Sequence, residues 1–169
     1  MYGVHPDMKS HTGIFMSIGK GGGYTASRKQ KLNTKSSTEA ELVAIDDSMG
    51  QILWTRHFLA EQGLAVPVTT IYQDNKSTIL LSENGKASSS KRTKHLDVHY
   101  YFIMDCIKCG EVKVAYCPSE NMLADFFTKP LQGVAFRHMR SQILNMPFTD
   151  TNASEVNRSV LNKSKNDRM

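Results

Sequence analysis

The sequence predicts an α/β protein built on a mixed β-sheet with flanking helices. Two patterns carry this prediction. The chain opens with two strand-like segments joined by a glycine-rich turn, and helical and strand patterns then alternate along the rest. The length of 169 residues suits one domain, and an apolar content of 40% is enough for a packed core.

The opening segments are predicted to form a hairpin. Residues 12–18 and 23–30 are the two strands, and the turn between them is GKGGG at 19–23. Glycine tolerates the positive φ angles that hairpin turns require. The turn is not a Walker-type phosphate loop, because no Gly-Lys-Ser/Thr follows at the required spacing.

A long amphipathic helix is predicted to follow, ending near Gly63. Ser36 with Glu39, and Thr38 with Glu41, each fit a capping box at its start. Apolar residues recur at helical steps to form one stripe: Leu42, Ile45, Met49, Ile52 and Leu59. We expect Trp54 and Phe58 to pack in the core, with base stacking as the lesser alternative.

The second half of the chain continues the alternation. Residues 68–73 are a predicted strand, 75–84 a short helix closed by Gly85, 92–109 a long helix and 111–117 a strand. Residues 119–129 are predicted as a helix that starts at Ser119 and ends before Pro130. The pattern divides the chain into a domain over 1–133, an amphipathic helix within 134–147 and a polar, disordered tail over 148–169.

The charge pattern favours an anionic partner. Lys and Arg number 21 against 16 Asp and Glu, and two stretches without acids, RKQKLNTK (28–35) and KASSSKRTK (86–94), hold eight of the basic residues. One such stretch is usually a solvated loop. Two of them flanking candidate carboxylates indicate a surface that binds phosphates.

Cellular location is constrained by what the sequence lacks. It has no run of ~18 apolar residues that could span a membrane, and its first residues have no apolar segment of a secretory signal. Three cysteines, Cys106, Cys109 and Cys117, cannot all pair with one another. We therefore expect a protein of the cytoplasm or nucleus, without a membrane partner and not secreted.

Three acids lie at comparable places and form the candidate site. Glu41 is in the first turn of a helix, Asp74 ends a strand, and Asp125 precedes Thr128-Lys129-Pro130. Carboxylates gathered where strands end would repel one another unless cations such as Mg²⁺ bind. Each also has a simpler interpretation: Glu41 completes a capping box, Asp74 caps the next helix, and Asp125 is a solvated helix acid.

Other metal ligands are less well supported. His95 and His99 are one helical turn apart, but no third zinc ligand has a suitable spacing. Cys106-x-x-Cys109 has no second cysteine pair, so buried or idle thiols are the favoured interpretation.

Five segments together resemble the ribonuclease H region that ends the Pol polyprotein of copia-type LTR retrotransposons. The resemblance runs in order from about Tyr2 to about Met146. The segments are SHTG, KQKLNTKSSTEAELVA, QDNKSTILLSENG, KRTKHLDVHYYFI and YCPSENMLADFFTKPLQG.

This resemblance implies a ribonuclease H fold, with a five-stranded mixed sheet, and cleavage of RNA in RNA–DNA hybrids. It implies two Mg²⁺ or Mn²⁺ ions held by the catalytic acids, which fall on Glu41, Asp74 and Asp125. The implied partners are the hybrid and the reverse transcriptase domain of the parent polyprotein, within a cytoplasmic virus-like particle or the nucleus. The residues expected to contact nucleic acid are Lys29, Lys31, Lys91, Arg92, Lys94 and His95.

One part of the family pattern has no counterpart here. The family's first aspartate ends the first, central strand of the sheet, and alignment would put it about two residues before Met1. We therefore expect a truncated domain whose central strand is missing and whose site is incomplete, so that the chain is inactive alone. Asp7 is a poor substitute. The alternative is a non-catalytic fragment that binds nucleic acid or reverse transcriptase.

Overall fold

The computed structural model describes residues 7–84 and 97–148, and the side chains of Asp97 and Val98 are not described. The predicted tail from residue 149 onward, the helix stop at Gly85 and the whole second basic stretch (86–94) lie outside these residues. In chain order the elements are β1 (His11–Ser17), β2 (Gly22–Lys29), α1 (Ser37–Glu61), β3 (Thr69–Gln73), α2 (Lys76–Asn84), α3 (Asp97–Lys108), β4 (Val112–Tyr116) and α4 (Gly133–Ile143).

The strands form two small sheets, one antiparallel and one parallel. β1 pairs with β2 with His11 opposite Lys29, and β3 pairs with β4 with Thr69 opposite Val112. The predicted α/β class is therefore confirmed. Within the described ranges, β1 and β3 each have one strand neighbour and one edge without a strand partner. The described strands thus form two separate sheets and not the single mixed sheet predicted, and the ribonuclease H fold and the missing central strand stay predictions.

α1 begins where the sequence predicts. Ser36 Oγ accepts the backbone N–H of Glu39 at 3.2 Å, and Glu39 Oε2 accepts the N–H of Lys35 at 2.7 Å. These bonds satisfy N–H groups that have no partner inside the helix. The helix stops before Gly63, which adopts a left-handed φ of +76°. The alternative capping box of Thr38 and Glu41 is wrong, because Glu41 accepts from Thr78 instead.

The core lies between α1, α3 and β4. Most of the predicted stripe is buried in this core, together with residues of α3 and β4. The buried residues of the core are Leu42, Val43, Ile45, Met49, Ile52, Tyr100, Ile103, Cys106 and Val112. Each large apolar side chain that is fully buried contributes about 1.5–3 kcal/mol by leaving water. This packing fixes α1 as the element from which the candidate site is built.

Trp54 and Phe58 are not core residues, so that expectation was wrong. Trp54 is 60% exposed and Phe58 48% exposed. Their rings stack on each other with centroids 5.3 Å apart and an interplanar angle of 6°. The reason is helical phase: Trp54 follows the buried Ile52 by two residues, or about 200° around the axis, so it points away from the core.

The predicted helix over 119–129 is also corrected. The chain there makes two short 3₁₀ turns, Ser119–Asn121 and Leu123–Phe127, separated by Met122 in an extended conformation. The second turn packs directly on β1, because a Cβ added to Gly13 would lie 2.6 Å from the carbonyl oxygen of Ala124. Ser27 of β2 donates to the Phe127 carbonyl at 2.6 Å. These tertiary contacts accompany two short 3₁₀ turns in place of one continuous α-helix.

The predicted C-terminal amphipathic helix is present as α4. It spans Gly133–Ile143 and buries Met139 and Ile143, so it ends earlier than the predicted boundary at residue 147. Within the part of the chain that the structure describes, no helix is long and apolar enough to cross a membrane.

Candidate metal and nucleic-acid site

The candidate site forms where β3 and β4 end together. The two strands are parallel with Gln73 opposite Tyr116, and Cys117 N–H donates to the Gln73 carbonyl at 2.9 Å. Gln73 is buried, and its side-chain Oε1 accepts the N–H groups of Asp74 at 2.8 Å and Asn75 at 3.2 Å. The backbone that carries Asp74 is therefore fixed by a side chain from the strand before it.

Asn75, not Asp74, caps the helix that follows. Its Oδ1 accepts the N–H groups of Ser77 at 2.9 Å and Thr78 at 3.4 Å, and its Nδ2 donates to Thr38 Oγ1 at 3.4 Å. Asn75 thus satisfies the start of α2 and ties it to α1. The simpler interpretation of Asp74 as a helix cap is wrong, and the Asp74 carboxylate accepts from Ser119 Oγ at 2.7 Å instead.

Glu41 projects from the first turn of α1 toward the same corner. Its Oε2 accepts from Thr78 Oγ1 at 3.2 Å. Burial raises the pKa of the Glu41 carboxyl above its ordinary value, and the negative charge of Asp74 raises it further. Hydrogen bonds from Asn75 and Thr78 act in the opposite direction. The hydrogen bonds from Asn75 to Thr38 and from Thr78 to Glu41 therefore hold the Glu41 carboxylate at the corner where the segment with Asp74 begins.

Asp125 is engaged differently. It lies in the second 3₁₀ turn, and its Oδ2 accepts from Lys129 Nζ at 2.6 Å, so its charge is paired with a cation four residues away. Among the residues that the structure describes, no three His, Cys, Asp or Glu side chains form a group that could hold a metal ion. The catalytic and metal-binding roles of Glu41, Asp74 and Asp125 stay predictions.

Two of the predicted nucleic-acid contacts fall within the described residues. Lys29 forms an ion pair with Asp7 at 2.7 Å, a contact that lowers the pKa of Asp7. Lys31 is exposed just after β2. The other four predicted contacts lie outside the described residues: Lys91, Arg92, Lys94 and His95.

The structure adds two residues at the rim of the site that sequence reasoning missed. Lys76, the first residue of α2, has its Nζ 5.1 Å from the centroid of the Tyr116 ring. Tyr116 ends β4 and is 51% exposed. The position of Lys76 two residues after Asp74 was visible in the sequence. Its contact with the Tyr116 ring depends on the register of β3 with β4, which the sequence does not show.

His99 and Cys106, two of the weaker candidate metal ligands, belong to the packing of α3. His99 Nδ1 lies 2.6 Å from Asp46 Oδ2, which links α3 to α1. Cys106 is buried, and desolvation followed by the charge of Glu111 raises its pKa to about 11, so its thiol is protonated at neutral pH. Cys109 is exposed and Cys117 partly buried, and all three cysteines are free.

Comparison with known proteins gives the chain its family. It is 33% identical over 129 residues to the retrovirus-related Pol polyprotein from transposon TNT 1-94 of Nicotiana tabacum, a match that covers 76% of the chain. It is 33% identical over 144 residues, 83% of the chain, to the corresponding polyprotein from transposon RE1 of Arabidopsis thaliana. The chain belongs to the copia-type retrotransposon Pol polyproteins.

The match extends beyond plants but covers little of each relative. A Ty1-DR5 Gag-Pol polyprotein of Saccharomyces cerevisiae is 30% identical over 141 residues, 80% of this chain. The chain spans about a tenth of the length of the plant polyproteins and 8% of the yeast one. No protein-family model and no solved structure matches the chain. The matches to the plant and yeast polyproteins confirm the family that the sequence motifs predict.

Proposed function

We propose that this chain is the ribonuclease H-type part of a copia-type polyprotein and acts on the RNA strand of RNA–DNA hybrids during reverse transcription. The observation that carries the proposal is the meeting of Glu41 and Asp74 where β3 ends and α1 begins. Neither of these acids serves as a helix cap, since Asn75 caps α2 and Ser36 caps α1.

The donor set fits a hard divalent cation. Carboxylate oxygens are the ligands that Mg²⁺ and Mn²⁺ prefer. A partly buried Glu41 whose pKa is raised by burial and by a neighbouring carboxylate has an electrostatic cost that a cation would relieve. Glu41 and Asp74 would hold such an ion, and Asp125 would join them if Lys129 released it. Bound metal supplies activation of water and stabilisation of the leaving oxygen in phosphodiester cleavage.

The surroundings of the pair suit a nucleic-acid strand. Lys76 and the exposed Tyr116 ring lie next to Asp74, and Lys31 offers a further exposed cation. Cations bind backbone phosphates without regard to sequence, and recognition of the 2′-hydroxyl would separate RNA from DNA. As further parts of the proposal, the partner is the reverse transcriptase domain of the parent polyprotein, and the site of action is a virus-like particle or the nucleus.

A second candidate function is a non-catalytic fragment that binds nucleic acid or reverse transcriptase. The observation that favours it is the ion pair between Asp125 and Lys129, which occupies the third candidate carboxylate with a side-chain cation. The two functions differ in their dependence on metal. A binding fragment binds the hybrid equally well in Mg²⁺ and in EDTA. A nuclease cleaves the hybrid only when the divalent metal is present.

The decisive experiment is titration of the full chain with substoichiometric Mn²⁺, followed by paramagnetic broadening of its amide NMR signals. We expect broadening centred on Glu41, Asp74 and Asn75 that Asp74→Asn removes. Asp105→Asn is the matched control, because it makes the same charge change at an exposed position of α3. Broadening that is equal in Asp74→Asn and the wild type would contradict the proposal.

A hybrid-cleavage assay with Mg²⁺ completes the test. We expect no cleavage by the chain alone, in line with the incomplete site that the sequence predicts. Any cleavage should require Mg²⁺ and disappear in Asp74→Asn. Hybrid binding that is unaffected by EDTA, together with the absence of Mn²⁺ broadening, would favour the non-catalytic fragment.

A further inference from the structure

We propose that Ser119 is a positioning residue that holds the Asp74 carboxylate in the orientation needed to bind a divalent cation. This inference rests on the proposed function. Ser119 Oγ donates to Asp74 Oδ2 at 2.7 Å across a sequence separation of 45 residues. The bond joins the segment after β4 to the segment after β3.

The backbone around Ser119 is built to deliver this hydroxyl. Gln73 opposes Tyr116 at the end of the parallel pair, and the N–H of Cys117 extends the ladder by one bond to the Gln73 carbonyl. Pro118, whose φ of −58° and ψ of 142° are extended, then turns the chain into the 3₁₀ turn that Ser119 begins. Both partners therefore sit on fixed backbone, since Gln73 Oε1 holds the Asp74 N–H.

Helix capping does not explain the serine. The cap position of this 3₁₀ turn is Pro118, and no side chain makes a capping hydrogen bond there. The Ser119 hydroxyl is directed to Asp74 instead. The prediction that Ser119 starts an α-helix is thus replaced by a contact between two loops at the candidate site.

A carboxylate that binds a metal ion is better oriented by a hydrogen bond from a neutral side chain than by an ion pair with a cationic side chain. A carboxylate offers about four lone-pair sites, and a single hydroxyl occupies one of them while leaving the negative charge intact. Thr78 makes the same kind of bond to Glu41 at 3.2 Å. Asp125 shows the contrasting case, because Lys129 neutralises its charge. Hydrogen bonds of this kind fix the orientation of metal ligands and raise metal affinity.

The test compares Ser119→Ala and Ser119→Thr in the full chain. From the effect that such orienting partners have in metal sites generally, we expect Ser119→Ala to raise the Mn²⁺ concentration that half-broadens the Asn75 amide signal by roughly tenfold. Ser119→Thr keeps the hydroxyl and should restore the wild-type value. The matched control is Ser141→Ala, which removes an exposed hydroxyl bonded within α4 to the His138 carbonyl.

A double-mutant cycle tests whether the Ser119 hydroxyl acts through Asp74. The midpoint of urea unfolding should fall in Ser119→Ala, but this fall should be absent when Asp74→Ala is already present. Wild-type Mn²⁺ affinity in Ser119→Ala, or an equal fall of the midpoint in both backgrounds, would overturn the positioning role. If the wild-type chain itself shows no broadening, the proposed function fails, and the metal-positioning role fails with it. If the wild type binds Mn²⁺ and Ser119→Ala binds it equally, the Ser119 proposal alone fails.

Discussion

Replacing Asn75 by alanine removes the side chain that caps α2 and ties it to α1. Loss of a cap that serves two N–H groups costs about 1 kcal/mol, and loss of the hydrogen bond to Thr38 costs about 0.5–1.5 kcal/mol more. The expected total of about 2 kcal/mol corresponds to a fall in Tm of roughly 4–8 °C for a chain of this size. The neighbouring substitution Asp74→Ala should cost far less, because it removes a carboxylate that repels Glu41 while it loses the Ser119 bond.

Thermal and urea unfolding, followed by circular dichroism, measure both variants against the wild type. Asn75→Asp serves as the control for the cap, since it keeps an accepting oxygen but loses the donor to Thr38 and adds charge beside Glu41. A Tm that falls as far in Asp74→Ala as in Asn75→Ala would refute the assignment of the cap to Asn75. It would restore the simpler interpretation in which Asp74 is a structural residue.

Three further outcomes are expected. Leu42→Ala should lower the free energy of unfolding in urea by about 2–5 kcal/mol, because Leu42 is fully buried. Leu80→Ala, at a position that is 55% exposed, should lower it far less. Equal losses in the two variants would contradict the placement of the core against α1. The single tryptophan, Trp54, should show red-shifted fluorescence and ready quenching by iodide, whereas blue-shifted, protected emission would place it in the core. Glu41→Gln should change how stability depends on pH. Because the pKa of Glu41 is raised above 4.5, the native state binds this proton more tightly than the unfolded chain, so wild-type stability falls as pH rises from 4.5 through the raised pKa. As the pH rises over this range, Glu41→Gln should become more stable relative to the wild type in urea unfolding. No such gain would contradict the raised pKa of Glu41 in the folded protein.

Local chemistry in the sequence was enough to predict several elements correctly. Ser36 and Glu39 marked the start of α1 because a cap acts within three residues, and the stripe that includes Leu42 and Met49 identified its buried face because helical periodicity is a local property. The long composite motifs identified the family for a related reason: they are strings of residues read in order, and they need no geometry. The same strings gave Asp74 a place at a strand end but could not say which of two adjacent polar residues caps α2.

The tertiary structure decided what depends on distant partners. Trp54 is exposed because the phase of α1 is set by packing against α3 and β4, and a large aromatic residue by itself predicts burial. Residues 119–127 form 3₁₀ turns because contacts with β1 and β2 outweigh their helical pattern. The link between Ser119 and Asp74 spans 45 positions and exists because the register of β3 with β4 brings their ends together. Long-range register and packing set such contacts, and neither is encoded in any short stretch of sequence.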